Sequence, residues 1–181
     1  MVNDDRQELL AAIRTKAYRK GDFTLSSGLK SDYYIDMKEV TLDPEGSLLV
    51  GRVIFETVRG WGANAVGGME LGSVPISTAV SLVSAMEGAP LFNIIVRKEP
   101  KGHGTGRKIE GKIAAGTNVV VVEDVVSTGG SSLKAIDVIL EAGARIAGVV
   151  SIVDRNMGGV EAFKAKGVRY EPLFTINEVK G

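Results

Sequence analysis

The sequence predicts an α/β fold, in which a mostly parallel central sheet is flanked by helices and carries a small N-terminal cap. From Asn64 onward, apolar β-branched runs alternate with helical patterns, as in successive βαβ units. The run from Val119 to Val122 is unbroken valine, which is typical of a strand buried on both faces of a parallel sheet. The first sixty residues break this alternation, and we expect them to form a cap beside the ligand site.

The N-terminal region predicts two helices separated by extended chain. The first helix follows an acidic start and ends at Gly21. Residues Phe23 to Lys38 alternate in polarity and turn, which indicates short strands or a hairpin. Pro44 suits the first turn of a second helix that reaches about Arg59.

The rest of the chain predicts a regular succession of strands and helices. In chain order these are a strand at Asn64–Met69, a helix at Val74–Met86, strands at Leu91–Val96 and Val119–Val122, a helix at Ser131–Ala142, a strand at Ile146–Val153, a short helix at Gly159–Lys166 and a strand at Val168–Phe174. Between them, the glycine-rich basic stretch Arg97–Gly111 has no core periodicity and predicts a mobile loop. Residues 1–181 are expected to form one domain, with a core of about 61–175 and a cap made of about 1–60 and the C-terminal end.

Composition excludes several classes of function. Lys+Arg and Asp+Glu both number 22, so no global basic field favours nucleic acid. The chain has no cysteine, which rules out disulfides and thiolate chemistry. No apolar run approaches the length of a membrane span, and the N-terminus lacks the core of a signal peptide. We therefore expect a cytoplasmic protein without nucleic-acid or membrane partners.

The valine run leads into the most informative motif, which reads EDVVSTGGSS and begins at Glu123. Acids at the carboxyl end of a parallel strand lie where open α/β sheets bind ligands. The small residues of Ser127–Ser131 offer N–H groups and hydroxyls at the start of a helix, which suits an anion. An isolated acidic pair is usually just solvated, but this combination predicts a phosphorylated sugar as ligand. Ideal alternation points Glu123 and Asp124 to opposite faces, so we expect them to converge only if the chain leaves the strand there.

A second cluster is basic and lies in the predicted loop. Its members are Arg97, Lys98, Lys101, His103 and Arg107. Exposed basic loops are common and usually carry no function. This one directly follows an apolar strand, and it holds the chain's single histidine between two glycines. A mobile cationic loop suits a pyrophosphate leaving group, because it can close over developing negative charge.

Two further segments suggest contacts to a second substrate. Arg155 follows a buried strand, and a guanidinium can bind a carboxylate or imide edge through two hydrogen bonds. A surface charge or a helix cap is the plainer reading of such an arginine. Tyr33 and Tyr34 could likewise be ordinary strand or core aromatics.

Four segments, in the right order, resemble a known family. EDVVSTGGSS resembles the phosphoribosyl pyrophosphate (PRPP) signature of the type I phosphoribosyltransferases, which have a Rossmann-like fold. RKEPKGHG resembles the catalytic loop of the orotate phosphoribosyltransferases, and FTLSSGLKSDYYID resembles their N-terminal orotate-binding segment. Arg155 matches their base-binding arginine. The resemblance is therefore specific for the orotate-using branch.

The resemblance implies a role for each matching residue. Glu123 and Asp124 hold the ribose 2- and 3-hydroxyls. The 5-phosphate lies in a cradle made of Ser127, Thr128, Gly129, Gly130 and Ser131, and Val125 and Val126 also belong to the PRPP-binding residues. Orotate contacts Ser127, Arg155, Tyr34 and Ile35. The basic residues Arg97, Lys98, Lys101 and His103 bind PRPP, and catalysis falls to Lys101, His103, Arg97 and Asp124.

The resemblance also implies a homodimer that uses Mg²⁺. The loop at 97–107 reaches the neighbouring subunit's site, so Arg97, Lys101 and His103 act in trans and Lys98 in its own subunit. Mg²⁺ is held mainly by PRPP and not directly by the protein. Asp124 could contact the ion through a water molecule. The chain departs from bacterial members at Ser26 and Gly72, where lysines are common.

The predicted reaction converts orotate and PRPP into orotidine 5'-monophosphate and pyrophosphate, a step of pyrimidine biosynthesis. One alternative is a type I phosphoribosyltransferase for another base, which a panel of bases would reveal. Another is a PRPP-sensing regulator without catalysis. Such regulators usually add a nucleic-acid-binding module, which the sequence does not indicate.

Overall fold

The structure is a computed structural model that describes residues 2–24, 30–99 and 108–181. The helices are α1 (Val2–Ala12), α2 (Lys38–Thr41), α3 (Pro44–Val58), α4 (Ser73–Met86), α5 (Gly130–Glu141), α6 (Gly159–Ala165) and α7 (Ile176–Lys180). The strands are β1 (Tyr18–Thr24), β2 (Lys30–Ile35), β3 (Ala65–Met69), β4 (Phe92–Val96), β5 (Ile109–Gly111), β6 (Asn118–Val126), β7 (Arg145–Asp154) and β8 (Tyr170–Thr175). A π-helical turn at Ile13–Ala17 joins α1 to β1.

The central sheet has the strand order β5-β4-β3-β6-β7-β8. Every neighbouring pair from β4 to β8 is parallel, and only the edge pair β4–β5 is antiparallel among the described strands. This architecture confirms the predicted fold class. Parallel strands present their carboxyl ends at one edge of the sheet, where a ligand site is expected.

The valines of β6 are buried on both faces of the sheet. Val120 and Val122 pack into the core formed with α1, α3 and α4, whereas Val119 and Val121 pack into the core formed with α5 and α6. All four are fully buried, as their unbroken run predicts. The central strand is therefore fixed by apolar packing from two sides, and it carries the acids at its end on a rigid support.

The N-terminal region differs from its prediction at the first helix. This helix does not end at Gly21, because regular α-helix stops at Ala12 and the chain is already extended from Tyr18. Tyr18 pairs with Ile35 in an antiparallel hairpin of β1 and β2, so strand pairing overrides the local helical pattern. The predicted hairpin is confirmed, although it starts earlier than expected. The second helix begins at Pro44 as predicted, with Asp43 accepting a hydrogen bond from the Gly46 N–H at 2.8 Å.

Two elements were missed by the sequence prediction. β5 lies at the end of the stretch expected to be loop, where Ile109 pairs with Val96. The short helix α7 follows β8 and begins with a capping box between Thr175 and Glu178. No helix in the described part of the chain is both long enough and apolar enough to cross a membrane. The division into a cap and a core stays a prediction.

Candidate active site

Most of the predicted site residues that the structure describes lie at the carboxyl edge of the parallel sheet. This edge carries Glu70, Leu71 and Gly72 after β3, Arg97 and Lys98 after β4, Glu123 to Ser131 at the end of β6, and Arg155 after β7. Chain segments far apart in sequence thus meet at the position that the topology dictates.

The two acids of β6 contact each other, although the strand continues through both of them. Glu123 and Asp124 line one small cavity together with residues 69–72, Lys98 and Ser131. The Asp124 carboxylate bends back to accept a hydrogen bond from the Val125 N–H at 2.7 Å. The two acids thus line one cavity although the strand continues through both of them. Their convergence on one ligand stays a prediction.

Glu123 is the buried member of the pair. One of its carboxyl oxygens accepts a hydrogen bond from the Ser132 hydroxyl at 3.1 Å, and 7% of the residue is exposed. Burial, and after it the charge of Asp124, together raise the pKa of Glu123 to about 8. Glu123 therefore holds a proton at neutral pH, whereas Asp124 is partly exposed and faces the cavity.

The loop after β6 forms a polar cavity of about 350 Å³. It is lined by Glu123, Lys134 and the whole segment from Val125 to Ser132. Gly129 adopts a left-handed conformation with φ of 80° and packs over the ring of Phe163, and α5 begins at the next residue. The N–H groups at the start of this helix and the loop hydroxyls make the cavity suitable for an anion.

Arg155 lies beside this cavity and is held by two hydrogen bonds. Its backbone N–H donates to the Val126 carbonyl at 2.8 Å, which ties it to the end of β6. Its Nε–H donates to the Tyr33 hydroxyl at 2.8 Å, and its guanidinium lies 4.8 Å from the centre of the Tyr33 ring. The preceding Asp154 is buried and accepts hydrogen bonds from the Asn156 N–H and the Tyr170 hydroxyl. The sequence interpretation missed Tyr33 as a partner of Arg155.

Tyr34 and Ile35 directly follow Tyr33 in strand β2. Tyr34 is 42% exposed and its ring lies 5.5 Å from that of Phe23, whereas Ile35 is half-buried against the core. The alternation of β2 explains this difference, because neighbouring side chains point to opposite faces. Their contact with a base stays a prediction.

The first two residues of the basic loop, Arg97 and Lys98, are held in place by hydrogen bonds from their backbone N–H groups. The Arg97 N–H donates to the Lys108 carbonyl at 2.9 Å, which extends the β4–β5 pairing by one step. The Lys98 N–H donates to the Glu70 carboxylate at 2.9 Å, a contact that the sequence interpretation missed. Arg97 also lies 3.6 Å from Glu110. Lys101, His103 and Arg107 lie outside the described residues, as does Ser26.

Comparison with known proteins assigns the family. The family model for the phosphoribosyl transferase domain matches residues 36–176. Orotate phosphoribosyltransferases from Nostoc sp. and Aquifex aeolicus are 47% and 42% identical to the chain, which they match over 99% of its length, and the matches cover 87% and 100% of those proteins. The chain belongs to the orotate phosphoribosyltransferase family.

Solved structures of the family have the same fold. The chain superposes on the Mycobacterium tuberculosis orotate phosphoribosyltransferase in complex with inorganic phosphate with a TM-score of 0.86, at 35% identity and with coverage of 98% of this chain and 99% of that one. The complex of that enzyme with PRPP gives a TM-score of 0.83, at 34% identity and with the same coverage. Family membership therefore rests on both sequence and structure.

Gly72 departs from the lysine common in bacterial orotate phosphoribosyltransferases, and the structure shows a close approach at this position. A Cβ atom on Gly72 would lie 2.8 Å from Oδ2 of Asp124. The first residue of α2, Lys38, also interacts with Asp124. The hydrogen bond to Asp36 is the main cause that raises the pKa of Lys38, and the charge of Asp124 raises it further. The chain thus lacks the lysine at Gly72 but has Lys38 near the same carboxylate.

We expect Gly72→Ala to weaken the use of PRPP. The new methyl group meets the flexible end of the Asp124 side chain, which can turn away at little cost in stability but then loses its bond to the Val125 N–H. We expect kcat/KM for PRPP to fall roughly two- to tenfold, the effect of about one hydrogen bond. Gly60→Ala is the matched control, because a Cβ there meets nothing within 4 Å. Steady-state kinetics with varied PRPP measures both, and equal values for the two variants would contradict the close contact.

The proton on Glu123 predicts a pH dependence of stability. Between pH of about 4.5 and about 8 the folded chain holds this proton and the unfolded chain has lost it, so the free energy of unfolding falls as pH rises through that window. Glu123→Gln removes the effect, and we expect a smaller difference between urea unfolding at pH 5.5 and at pH 8 than in the unaltered chain. Glu161→Gln, on the exposed face of α6, is the control and should leave that difference unchanged. A Glu123→Gln chain with the full difference would rule out Glu123 as its source.

Proposed function

We propose that the chain transfers the 5-phosphoribosyl group from PRPP to orotate, which yields orotidine 5'-monophosphate and pyrophosphate in the biosynthesis of pyrimidines. The observation that carries the proposal is the position of Arg155. Its backbone is hydrogen-bonded to Val126, within the segment that forms the anion cavity. A group that can bind a carboxylate therefore lies beside a loop that suits a phosphate, and this supports two substrates that react with each other.

PRPP is proposed to bind along the end of β6. The cavity formed by Val125 to Ser131 receives the 5-phosphate, and the two acids accept hydrogen bonds from the ribose hydroxyls. This arrangement is supported by the helix start at Gly130 and by the shared cavity of Glu123 and Asp124. Because Glu123 holds a proton in the free chain, we expect it to release or redirect that proton when the sugar binds.

Orotate is proposed to lie between Arg155, Ser127 and the strand that carries Tyr34 and Ile35. The terminal nitrogens of Arg155 bind its carboxylate as a fork. Ser127 is half-buried in the loop that follows β6, one residue from the carbonyl to which Arg155 is bonded. The pyrimidine ring is therefore held at one edge by charge and on its faces by side chains of the hairpin.

The chemistry requires positioning and charge stabilisation rather than a protein nucleophile. The bond from ribose C1 to pyrophosphate loosens first and leaves an oxocarbenium-like centre. A nitrogen of orotate then attacks this centre and gives up its proton, which the departing pyrophosphate can accept. The electron pair of the breaking bond leaves with pyrophosphate, so the protein must stabilise developing negative charge there. The residues that match the catalytic ones of the family are Lys101, His103, Arg97 and Asp124.

Mg²⁺ is proposed as the cofactor, carried mainly by the oxygens of PRPP. Within the described residues, no group of three or more His, Cys, Asp or Glu side chains is placed to hold a metal ion. Asp124 is a partly exposed oxygen donor in the cavity beside residues 69–72, and a hard cation that keeps its waters suits such a donor. When bound, the ion neutralises charge on the pyrophosphate.

A homodimer is proposed to complete each site. An apolar groove of about 570 Å³ lies between the segment α2–α3 and α4, next to the loop after β3. Its leucines Leu42, Leu71 and Leu82 are each more than 60% exposed, which is unusual for adjacent large apolar side chains. A second copy of the chain on this face would cover the leucines next to the site. Arg97, Lys101 and His103 would then act in the partner's site and Lys98 in its own.

A panel of bases tests the proposed function. With PRPP and Mg²⁺ present, orotate should be consumed, whereas uracil, adenine and hypoxanthine should react far more slowly because they lack the carboxylate. Preference for a purine would favour a different transferase, and binding of PRPP without turnover of any base would favour a regulator. The cytoplasmic location and the absence of nucleic-acid partners stay predictions of the sequence.

A further inference from the structure

Tyr33 is a buried residue of β2 whose hydroxyl is hydrogen-bonded to Arg155. It is 7% exposed, and its oxygen accepts the hydrogen bond from Nε of Arg155 at 2.8 Å. The guanidinium also lies over the tyrosine ring, with 4.8 Å between its central carbon and the ring centre. The ring and the hydroxyl therefore both fix the same arginine.

The hydrogen bond to Tyr33 leaves the two terminal nitrogens of the Arg155 guanidinium available to bind a ligand. A guanidinium donates in two planar directions, and the bond to Tyr33 uses Nε–H rather than the two terminal nitrogens. The terminal nitrogens form the fork that matches a carboxylate. Because the Arg155 backbone is also held by Val126, both ends of the side chain are fixed before a ligand arrives.

The C-terminal helix supports the same tyrosine. The Lys180 ammonium lies 4.4 Å from the centre of the Tyr33 ring and 3.3 Å from a carboxyl oxygen of Asp32. Tyr33 is therefore held by contacts from α7 as well as by its own hairpin. A side chain that is packed in this way can orient a neighbour with little freedom of its own.

We propose that Tyr33 is a positioning residue for orotate, which acts by aiming the fork of Arg155 at the orotate carboxylate. The inference rests on the proposed role of Arg155 in binding orotate. It assigns to Tyr33 a contribution to the affinity for orotate and none to the affinity for PRPP. A purely structural tyrosine would instead affect folding and both substrates alike.

Tyr33→Phe tests this role, because it removes only the hydroxyl and keeps the packed ring. We expect KM for orotate to rise roughly tenfold, the loss typical of one hydrogen bond to a charged group, while kcat and KM for PRPP change by less than about twofold. Tyr18→Phe is the matched control, since it removes a hydroxyl from the same hairpin, 6.0 Å away between ring centres. An unchanged KM for orotate, or equal rises for both substrates, would overturn the proposal.

A double variant separates this inference from the proposed function. In a chain that carries Arg155→Ala, adding Tyr33→Phe should not raise KM for orotate further, because the tyrosine acts only through the arginine. A further tenfold rise in that background would show that Tyr33 acts independently and would overturn the inference. If Arg155→Ala alone leaves KM for orotate unchanged, the proposed role of Arg155 fails, and the inference about Tyr33 fails with it.

Discussion

Arg155→Ala is expected to lower kcat/KM for orotate by about thirtyfold to a few thousandfold. The reason is that truncating one partner of a hydrogen-bonded charge pair costs about 2–5 kcal/mol when the other charge is left without its partner. In this chain the Arg155 guanidinium is already oriented by Tyr33 and by the backbone bond to Val126. Little free energy is therefore needed to order this side chain when orotate binds. Steady-state kinetics with varied orotate measures the effect.

The control for this variant lies on the same strand. Arg145 is the first residue of β7 and Arg155 directly follows its last residue. Arg145→Ala therefore removes an arginine from the opposite end of the same strand. We expect Arg145→Ala to leave kcat/KM for orotate within about twofold, as is usual for surface positions. Similar losses in both variants would indicate a general effect on the fold, and no loss in Arg155→Ala would remove that residue from the orotate site.

Lys101→Ala is expected to lower kcat by on the order of a hundredfold or more and to change the binding of PRPP much less. Lys101 lies outside the described residues, and its role follows from the resemblance of RKEPKGHG to the family's catalytic loop. A cation that meets charge developing on the leaving pyrophosphate contributes mainly in the transition state. Lys108→Ala, at the other end of the loop, is the control and should keep near-normal turnover. Normal turnover in Lys101→Ala would exclude Lys101 from the mechanism.

Mixing two inactive chains tests whether the loop acts across a dimer. Lys101→Ala chains exchanged with Asp124→Asn chains should regain about a quarter of the unaltered activity, because about half of the dimers then contain one site with both residues intact. The double variant mixed with Lys101→Ala provides no intact site and should stay inactive. Absence of rescue in verified mixed dimers would place Lys101 and Asp124 in the same subunit's site.

The sheet and its ligand edge could be predicted because their sequence signals are local. The valine run of β6, the glycines after it and the helical pattern of α5 each follow from short-range rules, and together they predict the position of the polar cavity after β6. Arg155 follows the same logic, since it ends an apolar strand. The structure adds the hydrogen bond between Arg155 and Val126, which ties Arg155 to the end of β6.

The contacts that join distant segments could not be predicted from local patterns. Tyr33 and Arg155 are 122 residues apart, and adjacent tyrosines in a strand give no sign of which one turns inward. Glu70 reaches Lys98 only because β3 and β4 are neighbours in the sheet. The three-residue strand β5 is too short to show a period. These features depend on tertiary pairing, which a single sequence does not display.

Orotate absorbance in the presence of PRPP and Mg²⁺ tests the central proposal most directly. We expect a loss of absorbance that requires all three components and that releases one pyrophosphate for each orotate consumed. Arg155→Ala should greatly reduce this loss, and Arg145→Ala should not. A folded chain that binds PRPP but leaves the orotate absorbance unchanged would contradict the proposed function.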